Sequence, residues 1–228
     1  MDDDFLYLRD IYRLISEYGV YKGDAFTKWM GDLICAKTGN PDTTFDELKK
    51  EGCFLDLYLT ASNISKQKPM ILSHIGTPYL PIKLAARMSM SIPLFFKAVK
   101  YKNDIIVDGG VTYNYPINLF DINRVFNPET LGFRLDTKEE ITHNIDNWEN
   151  VPSGEINNIV EYSKYLIGFM MDMANKKHLS SKDKIRTIFI DTLDVGTTDF
   201  DLTKSQIDSL LKSGEDAVIK WVENGIQI

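Results

Sequence analysis

Cysteine is scarce in this chain. Cys35 and Cys53 are the only two in 228 residues, too few for a disulfide scaffold or for a zinc site built from cysteines alone. A reduced compartment is the default expectation, without a Cys35–Cys53 bridge. Histidine is as sparse. His74, His143 and His178 stand far apart, lack the close spacing of metal ligands, and read as polar surface or loop residues. No metal and no cofactor is expected. An excess of positive charge is also missing: 26 Lys and Arg stand against 33 Asp and Glu, a net charge of −7, which argues against a general nucleic-acid binder. No run approaches the ~20 apolar residues that span a bilayer. The acidic start Met1-Asp2-Asp3-Asp4 has neither the basic nor the apolar region of a signal peptide, so a cytoplasmic location is expected. Two catalytic signatures are absent as well. There is no Gly-x-Ser-x-Gly, and the only adjacent glycines are Gly109-Gly110. No serine therefore sits in a nucleophile elbow, and no other Gly-rich loop offers oxyanion donors.

What is present is ordinary for a soluble globular chain. Hydrophobic residues make up 43% and charged residues 26%, and the length suits one domain, residues 1–228. Apolar spacing predicts a helix over residues 5–18 closing at Gly19, and a second from Asp24 with Phe26, Trp29, Met30, Leu33 and Ile34 on one core-facing side. Thr44-x-x-Glu47 has the pattern of a capping box at the start of a third. Residues 55–61 read as a strand apolar on both faces, as in a parallel sheet, and 70–73 as another strand. Residues 81–90 read as a helix whose Ala85 and Ala86 permit close approach to the sheet. Ser89 and Ser91, at its end, read as backbone-bonded serines. Further on, residues 116–120 predict a short helix, 131–135 and 186–191 strands, 155–173 a long helix, and Thr203 the N-cap of a final helix. Residues 136–154 read as a polar solvated loop. Residues 176–186 are locally basic; they read as a solvated loop that could also touch an anionic membrane surface.

The chemistry-bearing stretch is Asp104-Ile105-Ile106-Val107-Asp108-Gly109-Gly110. A short β-branched run reads as a buried strand. It ends on a carboxylate followed by two glycines that let the backbone turn sharply. An aspartate at the end of a buried strand suits a catalytic base, but from the tripeptide alone an aspartate that merely bonds the turn amides is the better reading.

The flanking residues add a resemblance. Ala85-Ala86-Arg87-Met88-Ser89-Met90-Ser91-Ile92-Pro93-Leu94-Phe95-Phe96 precedes the Asp-Gly-Gly turn, and Asn114-Tyr115-Pro116 follows it. In order and spacing these segments resemble the patatin-like phospholipase family. Gly19-x-Tyr21-x-Gly23-Asp24, Thr44-Phe45-x-Glu47-Leu48 and Asp199-Phe200-x-Leu202 resemble it too, so the likeness covers nearly the whole chain. The resemblance implies a three-layer α/β/α fold with a mainly parallel sheet, incomplete at its N-terminal side. It implies a lipid acyl hydrolase with a Ser–Asp dyad, in which Asp108 of the Asp108-Gly109-Gly110 motif is the base and the serine is not in this chain. The partners it implies are a lipid or ester substrate and a segment or second chain carrying the serine, with peripheral membrane contact. The other readings are an inert patatin-like remnant that binds a partner or lipid, and one half of a split enzyme. Strand edges and apolar faces left uncovered by the missing elements predict an isolated chain that is unstable, oligomeric or partner-dependent.

Overall fold

The computed structural model describes residues 12–121, 123, 125–142, 156, 162, 165–170, 173, 179–196, 199 and 201–223. These fall into two compact units. One holds the described residues up to Asn114 together with 165–170 and 173; the other holds those from Tyr115 to Tyr162 and from 179 onward.

In the first unit, residues 12–17 are helical, and the glycine expected to end that helix instead opens strand β1 (Gly19–Tyr21). Helix α1 (Asp24–Thr38) ends at Gly39. Helix α2 (Phe45–Glu51) starts on the expected capping box. The backbone N–H of Glu47 donates to Thr44 Oγ1, and the Glu47 carboxylate accepts from the Thr44 N–H at 2.7 Å. Strands β2 (Leu59–Asn63) and β3 (Lys68–Leu72), helix α3 (Ile82–Ser89), and strands β4 (Leu94–Phe96), β5 (Val99–Tyr101) and β6 (Asp104–Asp108) complete it.

Four of these strands make one sheet in the order β3-β2-β6-β5, and every neighbouring pair in it is antiparallel. The segment 55–61, read as a strand apolar on both faces, is explained differently: residues 55–58 lie outside the sheet, and Leu55 is exposed. Strands β1 and β4 pair parallel. Helix α3 covers the sheet with Ile82, Ala85 and Met88, which join Phe45, Ala61, Leu72, Leu80 and Ile106 in the core. Ala85 is fully buried, so its small side chain permits the close approach. Helix α1 packs on α3 through Gly31, its only fully buried residue. Trp29 and Leu33 point outward and are exposed, contrary to the expectation that they are core. Both cysteines are free.

The second unit begins at Tyr115 and contains a 3₁₀ turn at Ile117–Phe120. Strand β7 (Gly132–Asp136), helix α4 (Lys138–Thr142), helix α5 (Ser181–Ile185), strand β8 (Thr187–Asp191) and helix α6 (Lys204–Glu223) follow. Strands β7 and β8 pair parallel, and α6 packs along β8. Thr203 caps α6 as expected, its hydroxyl accepting from the Gln206 N–H. The expected loop at 136–154 begins on the last residue of β7 and contains α4; residues 143–154, and most of the expected helix at 155–173, lie outside the described residues, although 165–170 are helical.

The segment 176–186 differs from its sequence reading where it is described. Ser180 caps α5, and Arg186 is buried, held by Asp121 at 2.6 Å and Asp183 at 2.7 Å over the ring of Phe126. Two carboxylates compensate the desolvated guanidinium, which is the condition for burying it. Arg186 is therefore not available to a membrane surface. Strand β7 is inverted relative to a core strand: Arg134 and Asp136 are buried and paired at 2.8 Å, while Phe133 and Leu135 are exposed.

Two substitutions separate local from tertiary stability. Thr44→Ala removes one cap and should lower unfolding free energy by about 1 kcal/mol. Leu72→Ala empties a fully buried core site and should cost about 2–5 kcal/mol. Urea unfolding followed by circular dichroism measures both.

Candidate active site

Strand β6 delivers Asp108. Ile106 and Val107 are buried on opposite faces of the sheet, which is why the run is apolar throughout. Opposite Asp108 on β2 stands Ala61, and opposite Val107 stands Ser62. Alternation puts Asp108 on the face of Ala61 and Ile106, the face that α3 covers. Its backbone N–H donates to the carbonyl of Ser91, just past α3, at 2.9 Å.

The chain then turns through a 3₁₀ segment, Gly109–Val111. The Gly110 N–H donates to Asp108 Oδ1 at 2.6 Å, so the turn-capping reading of this aspartate is observed. Its other oxygen accepts no hydrogen bond from the described residues. A Cβ at Gly109 would lie 2.2 Å from Thr60 Oγ1 and 2.7 Å from the Thr60 carbonyl carbon, so only glycine fits there. The far end of the turn is tied to β2 by a 2.7 Å hydrogen bond between the hydroxyls of Ser62 and Thr112.

Burial raises the Asp108 carboxyl from 3.8 to about 6, and the Gly110 N–H pulls it part of the way back. A group with that value is half ionised at about pH 6, largely ionised at neutrality, and a far better proton acceptor than an exposed carboxylate.

Ser91 is fully buried. Its hydroxyl donates to the Arg87 carbonyl at 2.5 Å and accepts from the Arg87 guanidinium, which matches the backbone-bonded reading. Ser73 Oγ accepts from the Gly76 N–H, and Ser62 is engaged with Thr112. Among the described residues no serine hydroxyl bonds Asp108. His74 is half-buried, edge-on to Tyr58 and 3.9 Å from Asp56, while His143 and His178 lie outside the described residues. Among the described residues no group of three or more His, Cys, Asp and Glu side chains could hold a metal ion, and no helix is long and apolar enough to cross a membrane.

The sequence reading singled out Asp108, Gly109 and Gly110 but missed the residues that hold them: Thr60, Ser62, Arg87, Ser91 and Thr112. For Arg87 and Ser91 a signal existed, four residues apart at the end of a helix.

The raised carboxyl has a stability consequence of definite sign. Below about pH 4 Asp108 is protonated in both folded and unfolded chains and costs nothing. As pH rises to about 6 the unfolded chain ionises first, so the folded state loses relative stability. Above about 6 the loss is complete. Asp108→Asn removes it, so the variant should match the parent near pH 4 and exceed it at pH 7.5 by at most about 3 kcal/mol. Thermal melts across this range test the effect.

The family model for patatin-like phospholipase matches residues 3–121, a span that contains Asp108, Gly109 and Gly110. The uncharacterized protein YqhO of Bacillus subtilis (strain 168) is 32% identical over 207 residues, covering 86% of this chain and 65% of that protein. The probable lipid hydrolase 463L of Invertebrate iridescent virus 6 is 31% identical over 105 residues, 46% of this chain and 36% of that protein. The chain thus spans less than two thirds of the length of either relative. The crystal structure of VipD from Legionella pneumophila shares the α/β fold, with a TM-score of 0.52 at 19% identity over 81% of this chain and 36% of VipD. The family match covers just over half of the chain and includes its whole candidate site: this chain belongs to the patatin-like phospholipase family.

Proposed function

We propose that the chain supplies the general base, Asp108, of a lipid acyl hydrolase whose nucleophilic serine lies outside these 228 residues. The observation that carries this reading is the environment of Asp108: a strand-end carboxylate, buried enough to titrate at about 6, with one oxygen spent on the turn and the other unbonded among the described residues. Membership of the family and the likeness to a probable lipid hydrolase support the substrate class.

In this reading the serine O–H proton passes to the Asp108 carboxylate as the serine oxygen bonds the ester carbonyl carbon. The resulting oxyanion needs backbone N–H donors, which the serine-bearing segment would provide. The protonated Asp108 then returns the proton to the departing alcohol, leaving an acyl-serine. Water attacks that ester, giving its proton to Asp108, and the cycle closes when the serine is released with its proton restored.

Hydrolysis of p-nitrophenyl butyrate by the chain and by its Asp108→Asn variant tests the proposal, each alone and with a family segment bearing Gly-x-Ser-x-Gly fused upstream. Turnover is expected only in the fusion, rising with pH through about 6 as Asp108 ionises, and falling by about 10²–10⁴-fold in Asp108→Asn. Activity of the unfused chain that vanishes in the variant would place the nucleophile within these residues. Fusion activity that survives the variant would remove Asp108 from the role.

A further inference from the structure

The proton affinity of Asp108 has a single structural source. Burial raises it, the Gly110 N–H opposes that, and no charged side chain among the described residues adds to either. Whatever keeps the turn after β6 closed therefore sets both the place of the carboxylate and its exposure to water. The turn by itself is poorly suited to staying closed. Gly109 and Gly110 have wide backbone freedom, and the 3₁₀ segment they open is three residues long, held by poorly directed hydrogen bonds. Those bonds are local: the Thr112 and Tyr113 N–H groups both donate to the Gly109 carbonyl, at 3.1 and 2.8 Å.

One side-chain contact reaches out of the turn. The hydroxyls of Ser62 and Thr112 lie 2.7 Å apart, although 50 positions separate the two residues in the chain. Among the described residues this is the one side-chain hydrogen bond that joins residues 108–112 to another element. Ser62 is fully buried and stands on β2 opposite Val107. Alternation points its side chain to the sheet face away from α3, whereas Ala61 and Asp108 belong to the α3 side. Asp108 is thus held twice. Its backbone N–H is held by the Ser91 carbonyl at 2.9 Å, and the chain just beyond it is held by a hydroxyl from the opposite face. A buried hydroxyl needs a partner, and Ser62 finds its partner in the residue that ends the turn.

We propose that the Ser62–Thr112 pair is the latch that holds the Asp108 turn closed, so that both are positioning residues for the carboxylate. Neither is required to touch substrate; they act through the turn. With the latch broken, the two glycines let the turn lift from β2 and water reaches the carboxyl, which then behaves as an ordinary exposed aspartate. The bearing of the latch on turnover rests on the hydrolase reading above. The latch itself does not.

The test compares Thr112→Val, which keeps the shape of the side chain and removes the hydroxyl, with Thr112→Ser, which keeps the hydroxyl. The titration of Asp108 is followed by the carboxyl carbon resonance in a chain made with isotopically labelled aspartate, assigned with Asp108→Asn. The parent midpoint is expected at about 6. Thr112→Val should lower it by at least about one pH unit, toward the value of about 4 of an exposed aspartate, and Thr112→Ser should keep it. Thr44→Ala, which removes a helix cap elsewhere in the same unit, should also keep it, so lost stability alone does not produce the shift. In the fusion that carries Gly-x-Ser-x-Gly, Thr112→Val should lower kcat by about 10–10²-fold with KM unchanged, and the pH profile should move with the midpoint. Should Thr112→Val lose the parent's circular dichroism spectrum, Ser62→Ala removes the same bond from β2 and carries the test. A parent midpoint of about 4, a folded variant without the bond that keeps or raises the parent's midpoint, or a Thr112→Ser variant that shifts as far as Thr112→Val would each overturn the latch. A lowered midpoint without any Asp108-dependent hydrolysis by the fusion would leave the latch standing and sink the hydrolase reading alone.

Discussion

The first unit converges on the buried guanidinium of Arg87. Its Nη2 donates to the carbonyls of Lys22 at 2.7 Å and Lys97 at 2.8 Å, just beyond β1 and β4. Its Nη1 reaches the Ser91 hydroxyl, and the group lies over the ring of Phe96. One side chain on α3 thus ties together the parallel strand pair, the end of the helix and, through the Ser91 carbonyl, the backbone of Asp108. Burial lowers its pKa and the charge of Asp24 raises it, and arginine remains charged under any such shift. A charge satisfied mainly by neutral carbonyls needs all of them in place. That constraint reaches back to Gly23, where a Cβ would lie 2.4 Å from Arg87 Nε.

The same framework fixes Asp108 in place and raises its proton affinity. One oxygen caps the turn, which fixes the side chain in place, and the cover of α3 removes water, which raises the proton affinity of the carboxyl. Gly109 lets the turn lie flat on Thr60, and Ser62 closes it from β2. The arrangement costs stability at neutral pH, as buried acids do. Fixed placement and raised basicity come from one cause, the packing of a helix over a strand end.

The second unit distributes polarity in the opposite sense. Its interior holds Arg186 with Asp121 and Asp183, Arg134 with Asp136, and a 2.9 Å bond between the hydroxyls of Tyr115 and Thr187. Its outer surface shows Phe133, Leu135, Leu211 and Val222, and no residue of α6 is fully buried. Geometry also restricts Gly132, where a Cβ would lie 1.7 Å from the Tyr115 hydroxyl. Among its described residues only Ile117 and Ile188 are buried apolar side chains, beside compensated charges that hold a geometry tightly as long as every partner stays.

Local chemistry was legible in the sequence. The capping box at Thr44, the cap at Thr203, the helix with its buried Ala85, the strand ending at Asp108 and the motif that carries the family all follow from spacing within a few residues, where a side chain can meet only its near neighbours. Partners distant in the chain were not legible. Nothing near residue 62 indicates that Ser62 meets Thr112, nothing near Arg186 that it is held by Asp121, and Leu55, Leu57 and Tyr58 read as strand because hydrophobicity alone does not say whether a side chain finds cover. The antiparallel direction of β2 and the burial that raises Asp108 were decided by tertiary structure, because each depends on which distant segments the folded backbone brings alongside.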